Sequence, residues 1–127
     1  MSATLDELTA LFVRLAETPS PAGAERAVAD LITAEVRALG LEVREDDSAA
    51  RTGAGAGNLI VRVPARAPGA PTDGDGAATP AATGAGPTGT PIALVAHMDT
   101  VPAAGELRVV VENGVARSAG GTILGAD

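Results

Sequence analysis

The residues best suited to chemistry are a histidine and an aspartate two positions apart, His97 and Asp99. His97 is the only histidine in the 127 residues, and it follows the apolar run 92–96. Residues i and i+2 of an extended chain face the same side, so these side chains project together. A metal-bound histidine usually gives its second N–H to a carboxylate or carbonyl. The spacing predicts a metal ligand and its orienting partner at the end of a buried strand. The alternative is that the two residues are surface or structural residues that bind no metal.

A second carboxylate, Asp127, follows the apolar residues 122–124. Glycines flank that stretch and allow close approach of the backbone. Asp127 is therefore a further candidate for the same site. The alternative is that Asp127 has no functional role.

Composition narrows the classes of partner and ligand. The net charge of −7 argues against a nucleic-acid backbone or an anionic membrane as partner. Without cysteine, a metal has only nitrogen and oxygen ligands available. No apolar run approaches the ~20 residues that span a bilayer. We expect a cytoplasmic protein.

The elements that must position these residues follow from hydrophobic periodicity and turn residues. The continuous apolar strand is expected to be central and covered by helices, which favours an α/β fold. We expect Asp46 and Asp47 to be a solvated charge run. The sequence predicts helices over 4–17 and 23–39, strands over 41–45, 58–63 and 91–96, a glycine-rich loop over 51–57, a disordered Pro/Gly/Ala-rich insertion over 64–90, and a hairpin over 107–118 turning at Asn113 and Gly114.

Five segments, in order along the chain, carry a resemblance to a known family. They are residues 20–25 (SPAGAE), 38–43 (ALGLEV), 57–60 (GNLI), 96–102 (AHMDTVP) and 121–127 (GTILGAD). Together they resemble the N-terminal part of a peptidase T-like zinc metallopeptidase. That family is shared with acetylornithine deacetylase and succinyl-diaminopimelate desuccinylase.

The resemblance implies a fold, an activity and residue roles. The chain would be the incomplete N-terminal portion of a three-layer αβα catalytic domain with a mixed sheet, of the zinc-exopeptidase type. His97 resembles a zinc ligand, Asp99 the catalytic-site residue that orients this imidazole, and Asp127 the carboxylate that bridges two zinc ions. Water activated between the two ions, with cobalt or manganese as other working metals, would hydrolyse short peptides as a tripeptidase or aminopeptidase does. The parent enzyme would form a homodimer.

The sequence also departs from the family pattern. In the family, an adjacent glutamate pair supplies the general base, and further ligands, including a second histidine, follow the bridging aspartate. This sequence has neither a glutamate pair nor a second histidine. We therefore expect the 127 residues to be a fragment that is inactive alone and lacks the lid or dimerisation domain.

Other functions fit the same residues. Within the family, the alternative is an amidohydrolase, that is, a deacylase or desuccinylase. Outside it, the chain would be a non-catalytic metal-binding or interaction module, or a truncated gene product.

Overall fold

A computed structural model describes residues 4–64, 92–101 and 107–121. The predicted α/β class is confirmed: the described residues form three helices and two small antiparallel sheets, and an isolated parallel bridge joins Pro21 to Thr100. In chain order the elements are α1 (Leu5–Glu17), α2 (Arg26–Ala38), β1 (Val43–Glu45), α3 (Ser48–Thr52), β2 (Leu59–Val61), β3 (Val109–Glu112) and β4 (Val115–Ser118).

Helix α1 begins where its sequence predicts, because Thr4 and Glu7 form a capping box. The Glu7 amide donates to Thr4 Oγ1 at 3.2 Å, and the Thr4 amide donates to Glu7 Oε2 at 2.7 Å. These two bonds satisfy amides that have no partner inside the helix. The predicted helix over 4–17 is confirmed.

Helix α2 ends in a glycine cap. Gly40 has a φ of 76°, and its amide donates to the Arg37 carbonyl at 2.9 Å. The Leu41 amide donates to the Val36 carbonyl at 3.3 Å, which completes a Schellman motif. The helix begins later than the predicted residue 23, because the Ala24 amide closes a turn on the Pro21 carbonyl at 2.8 Å.

Two hairpin-like pairs form the sheets of the described residues. In the first, β1 pairs antiparallel with β2, in the register Val43 to Val61. In the second, β3 pairs antiparallel with β4 across Asn113 and Gly114. The φ values of these two turn residues are 52° and 74°, which fits a type I′ turn and confirms the predicted hairpin.

The predicted buried strand over 91–96 is wrong for the part that the structure describes. Residues 92–101 contain no strand, and Leu94 and Val95 are 96% and 94% exposed. A strand needs a neighbour for its backbone groups and a second surface for its side chains. The apolar pattern indicates that this segment can be buried, but the described residues supply neither the neighbour nor the surface.

The turn between β1 and β2 also differs from prediction. Ser48–Thr52 is a short helix, so part of the predicted loop is helical. Asp46 is not part of a solvated charge run. Its Oδ1 accepts the amides of Ser48 at 3.0 Å and Asn58 at 2.8 Å, and its Oδ2 accepts the Asn58 side-chain amide at 2.9 Å. Aspartate commonly closes turns in this way, and the glycine-rich composition did not reveal its partners.

The bonds to Asp46 predict a pH-dependent stability. Donation from Ser48 first, and from Asn58 second, holds the pKa of Asp46 well below its ordinary value of 3.8. A lowered folded-state pKa stabilises the folded chain above the unfolded-state pKa, and this stability is lost as the pH falls toward the folded-state pKa. We expect the urea midpoint to fall between about pH 6 and about pH 3.

The matched variant is Asp46→Asn, which cannot ionise at this position. Its urea midpoint should fall less over the same pH range than that of the wild type. Some dependence should remain, because hydrogen bonds also lower the pKa values of Glu25 and Glu45. Equal pH dependence in the two proteins would contradict this role for Asp46.

Among the described residues, no helix has the length and apolar character that a membrane crossing requires. The predicted insertion over 64–90 lies, apart from Pro64, outside the described residues.

Candidate functional site

His97 and Asp99 lie in contact, as their spacing predicts. His97 Nδ1 is 2.7 Å from the Asp99 main-chain carbonyl oxygen and 3.4 Å from Asp99 Oδ1. A carbonyl oxygen only accepts hydrogen bonds, so Nδ1 must carry the proton. The neutral ring then has its lone pair on Nε2.

Asp99 contacts the imidazole more closely through its main chain than through its side chain. The sequence leaves open whether a carboxylate or a carbonyl accepts the proton of the ring. The nearer acceptor is the backbone carbonyl of the same residue, and the carboxylate lies further away. Both side chains are about half exposed, at 56% for His97 and 49% for Asp99.

The described residues do not contain a complete set of metal ligands. No group of three or more histidine, cysteine, aspartate or glutamate side chains that could hold a metal ion occurs in ranges 4–64, 92–101 and 107–121. Asp127, the second predicted metal ligand, lies outside these ranges. Its role and that of His97 stay predictions.

The segment that carries His97 is attached to the chain before α2. The Thr100 amide donates to the Ser20 carbonyl at 2.9 Å, and Ser20 is 1% exposed. The hydroxyl oxygens of these two residues are 3.4 Å apart. Sequence reasoning did not assign Ser20 to the site, although it begins the first segment of the family resemblance.

Glu25 fixes the turn that follows Ser20. Glu25 is 9% exposed, and its carboxylate accepts the amides of Gly23 at 2.6 Å and Gly55 at 2.7 Å. Donation from the Gly23 amide first, and then from the amides of Glu25 itself and of Gly55, lowers the pKa of Glu25. A Cβ atom on Gly55 would lie 2.7 Å from the Glu25 amide nitrogen, so the loop needs glycine there to approach the turn. The composition of the 53–57 loop predicted a turn but not this partner.

The arrangement of helices, hairpins and the His97 segment corresponds to part of a peptidase domain. The chain superposes on aminopeptidase PepT from Bacillus cereus ATCC 10987 with a TM-score of 0.69 and 31% identity. It superposes on a tripeptidase from Staphylococcus aureus subsp. aureus Mu50 with a TM-score of 0.66 and 27% identity. Each match covers 98% of this chain and 28% of the other chain.

A sequence relative covers a similar share. YqjE of Bacillus subtilis strain 168, whose description is "uncharacterized protein", is 34% identical over 116 residues, which are 91% of this chain and 26% of YqjE. The chain thus spans about a quarter of the length of the proteins it matches. No family model matches it.

Proposed function

We propose that the protein carrying this chain is a metal-dependent peptidase that hydrolyses short peptides, and that this chain is the N-terminal part of its catalytic domain. Support comes from the two solved structures, which are named as an aminopeptidase and a tripeptidase. Neither name describes a deacylase or desuccinylase. The proposal therefore favours peptides over N-acyl amino acids as substrates.

The observation that carries the proposal is the bond between His97 Nδ1 and the Asp99 carbonyl at 2.7 Å. This bond directs the imidazole lone pair to Nε2, the nitrogen that we propose binds zinc. A chain without cysteine can bind a metal only through nitrogen and oxygen ligands, and an imidazole oriented by a carbonyl is a suitable nitrogen ligand. We propose Asp127 as the second ligand from this chain.

The residues of this chain have limited but defined roles in that chemistry. Two zinc ions, if held here, would supply an activated water and would polarise the scissile carbonyl. Asp99 keeps the proton on Nδ1 and holds the ring in one orientation. We propose that the general base and the remaining ligands come from residues outside this chain.

The test is hydrolysis by the purified whole protein, with tripeptides compared against N-acetyl and N-succinyl amino acids. We expect tripeptide hydrolysis that is lost after treatment with 1,10-phenanthroline and restored by zinc, cobalt or manganese. The reason is that a chelator removes the ions that activate the water.

Two outcomes would contradict the proposal. Tripeptide hydrolysis that survives complete metal removal would exclude the metal-dependent mechanism. Faster hydrolysis of N-acyl amino acids than of tripeptides would favour the amidohydrolase alternative. The intact mass of the native protein should be measured first. A stable native species of 127 residues would exclude the peptidase proposal for this chain, and a binding module or a truncated product would remain as alternatives.

A further inference from the structure

One peptide group connects the buried residue Ser20 to the imidazole of His97. This group joins Asp99 to Thr100, and it is trans because the described chain has no cis peptide bond. Its N–H donates to the Ser20 carbonyl at 2.9 Å. Its C=O accepts from His97 Nδ1 at 2.7 Å. The N–H and C=O of a trans peptide point in opposite directions in one rigid plane, so the first bond orients the second.

The Ser20 end of this connection is firmly held. Ser20 is 1% exposed, and the turn that follows it is closed by the Ala24 amide on the Pro21 carbonyl at 2.8 Å. Glu25 then ties the turn to Gly55 at 2.7 Å. The carbonyl that receives the Thr100 amide is therefore part of a fixed structure, whereas His97 is 56% exposed.

The main-chain bond matters more here than the hydroxyl contact. The oxygen–oxygen distance of 3.4 Å between Ser20 and Thr100 exceeds the roughly 2.7–2.8 Å usual for a hydroxyl bond. The amide–carbonyl distance of 2.9 Å is the usual value for its type. Donation at the N–H end of a peptide also polarises its carbonyl and strengthens that carbonyl as an acceptor.

We propose that Ser20 is a positioning residue for the metal ligand His97, acting through the peptide group between Asp99 and Thr100. The Ser20 carbonyl orients this group so that its C=O keeps the proton on His97 Nδ1 and the lone pair on Nε2. This inference rests on the proposed function only where it concerns metal binding. Its effect on the imidazole tautomer exists without a metal.

The test compares Thr100→Pro, which removes the amide N–H, with Thr100→Ala, which keeps it and loses only the side chain. Histidine-selective ¹⁵N labelling of the metal-free whole protein reports the tautomer, and His97→Gln assigns the His97 signals by their loss. We expect the Nδ1–H tautomer to dominate in the wild type and in Thr100→Ala, and to give way to a mixture in Thr100→Pro. Zinc affinity should fall about 10-fold or more in Thr100→Pro, as for other partners that orient ligands.

Thr100→Pro could also unfold the chain, so a second measurement is made on the wild type. A scalar coupling through the hydrogen bond, from the Thr100 amide nitrogen to the Ser20 carbonyl carbon, should be detectable. Absence of this coupling, or an unchanged tautomer in folded Thr100→Pro, would overturn the inference.

The two proposals fail in different ways. If zinc does not perturb the His97 signals of the wild type, the metal-ligand proposal falls. The tautomer comparison still decides whether Ser20 positions the ring. If zinc binds at His97 and the tautomer is the same in all variants, the positioning role falls while the metal role stands.

Discussion

His97→Gln is expected to abolish metal-dependent peptide hydrolysis in the whole protein, lowering kcat/KM more than about 100-fold. That loss exceeds the range of roughly 10–100-fold typical of residues that only orient a ligand. Glutamine retains polarity and approximate length but offers an amide in place of the imidazole lone pair on Nε2. The measurement is kcat/KM for a tripeptide, with the metal content of wild type and variant determined alongside.

The matched control for this prediction is Met98→Leu, at the neighbouring position. This swap conserves volume and removes no nitrogen or oxygen ligand, so it should leave kcat/KM within about 3-fold, since such swaps usually cost under 1.5 kcal/mol even in a core. Activity and metal content that persist in His97→Gln would show that His97 is not a ligand. Equal losses in both variants would point to misfolding of the segment instead.

Gly57→Ala is expected to produce the largest loss of stability, about 3 kcal/mol, at the upper end of typical overpacking costs. A Cβ on Gly57 would overlap the Asp46 backbone carbonyl oxygen and lie 3.0 Å from Asp46 Oδ1. The Gly57 amide also donates to Glu45 Oε1 at 2.8 Å, so movement away from Asp46 would break that bond. The backbone of the β1–β2 connection therefore has little freedom to relieve the overlap.

Urea unfolding of Gly57→Ala and Gly120→Ala measures this effect. Gly120 has nothing within 4 Å of an added Cβ, and its φ is not in the left-handed region. Gly120→Ala should raise the free energy of unfolding by less than about 1 kcal/mol, because alanine reduces the conformational freedom of the unfolded chain. If Gly57→Ala is no more destabilising than Gly120→Ala, the close approach of Gly57 to Asp46 does not limit the turn.

Local sequence signals predicted the elements whose stability is local. The capping box of Thr4 and Glu7 marks the start of α1, and Gly40 marks the end of α2. Asn113 and Gly114 mark the hairpin turn. Each signal acts on backbone groups within a few residues, which is why the sequence alone suffices.

The prediction of a buried strand over 91–96 failed for a different reason. Apolar residues show that a segment favours burial, but they do not identify what covers it. In the described chain Leu94 and Val95 remain exposed. The glycine-rich composition likewise indicated a turn near Gly55 but not its partner Glu25.

The sequence by itself predicted that His97 and Asp99 lie close together, since only one residue separates them. It did not determine that the Asp99 carbonyl is the nearer acceptor, since that depends on the orientation of one peptide plane. Only the tertiary structure decided that orientation, by bringing Thr100 to Ser20, 80 positions earlier in the chain. Contacts over such separations depend on how the whole chain packs, so local sequence patterns do not predict them.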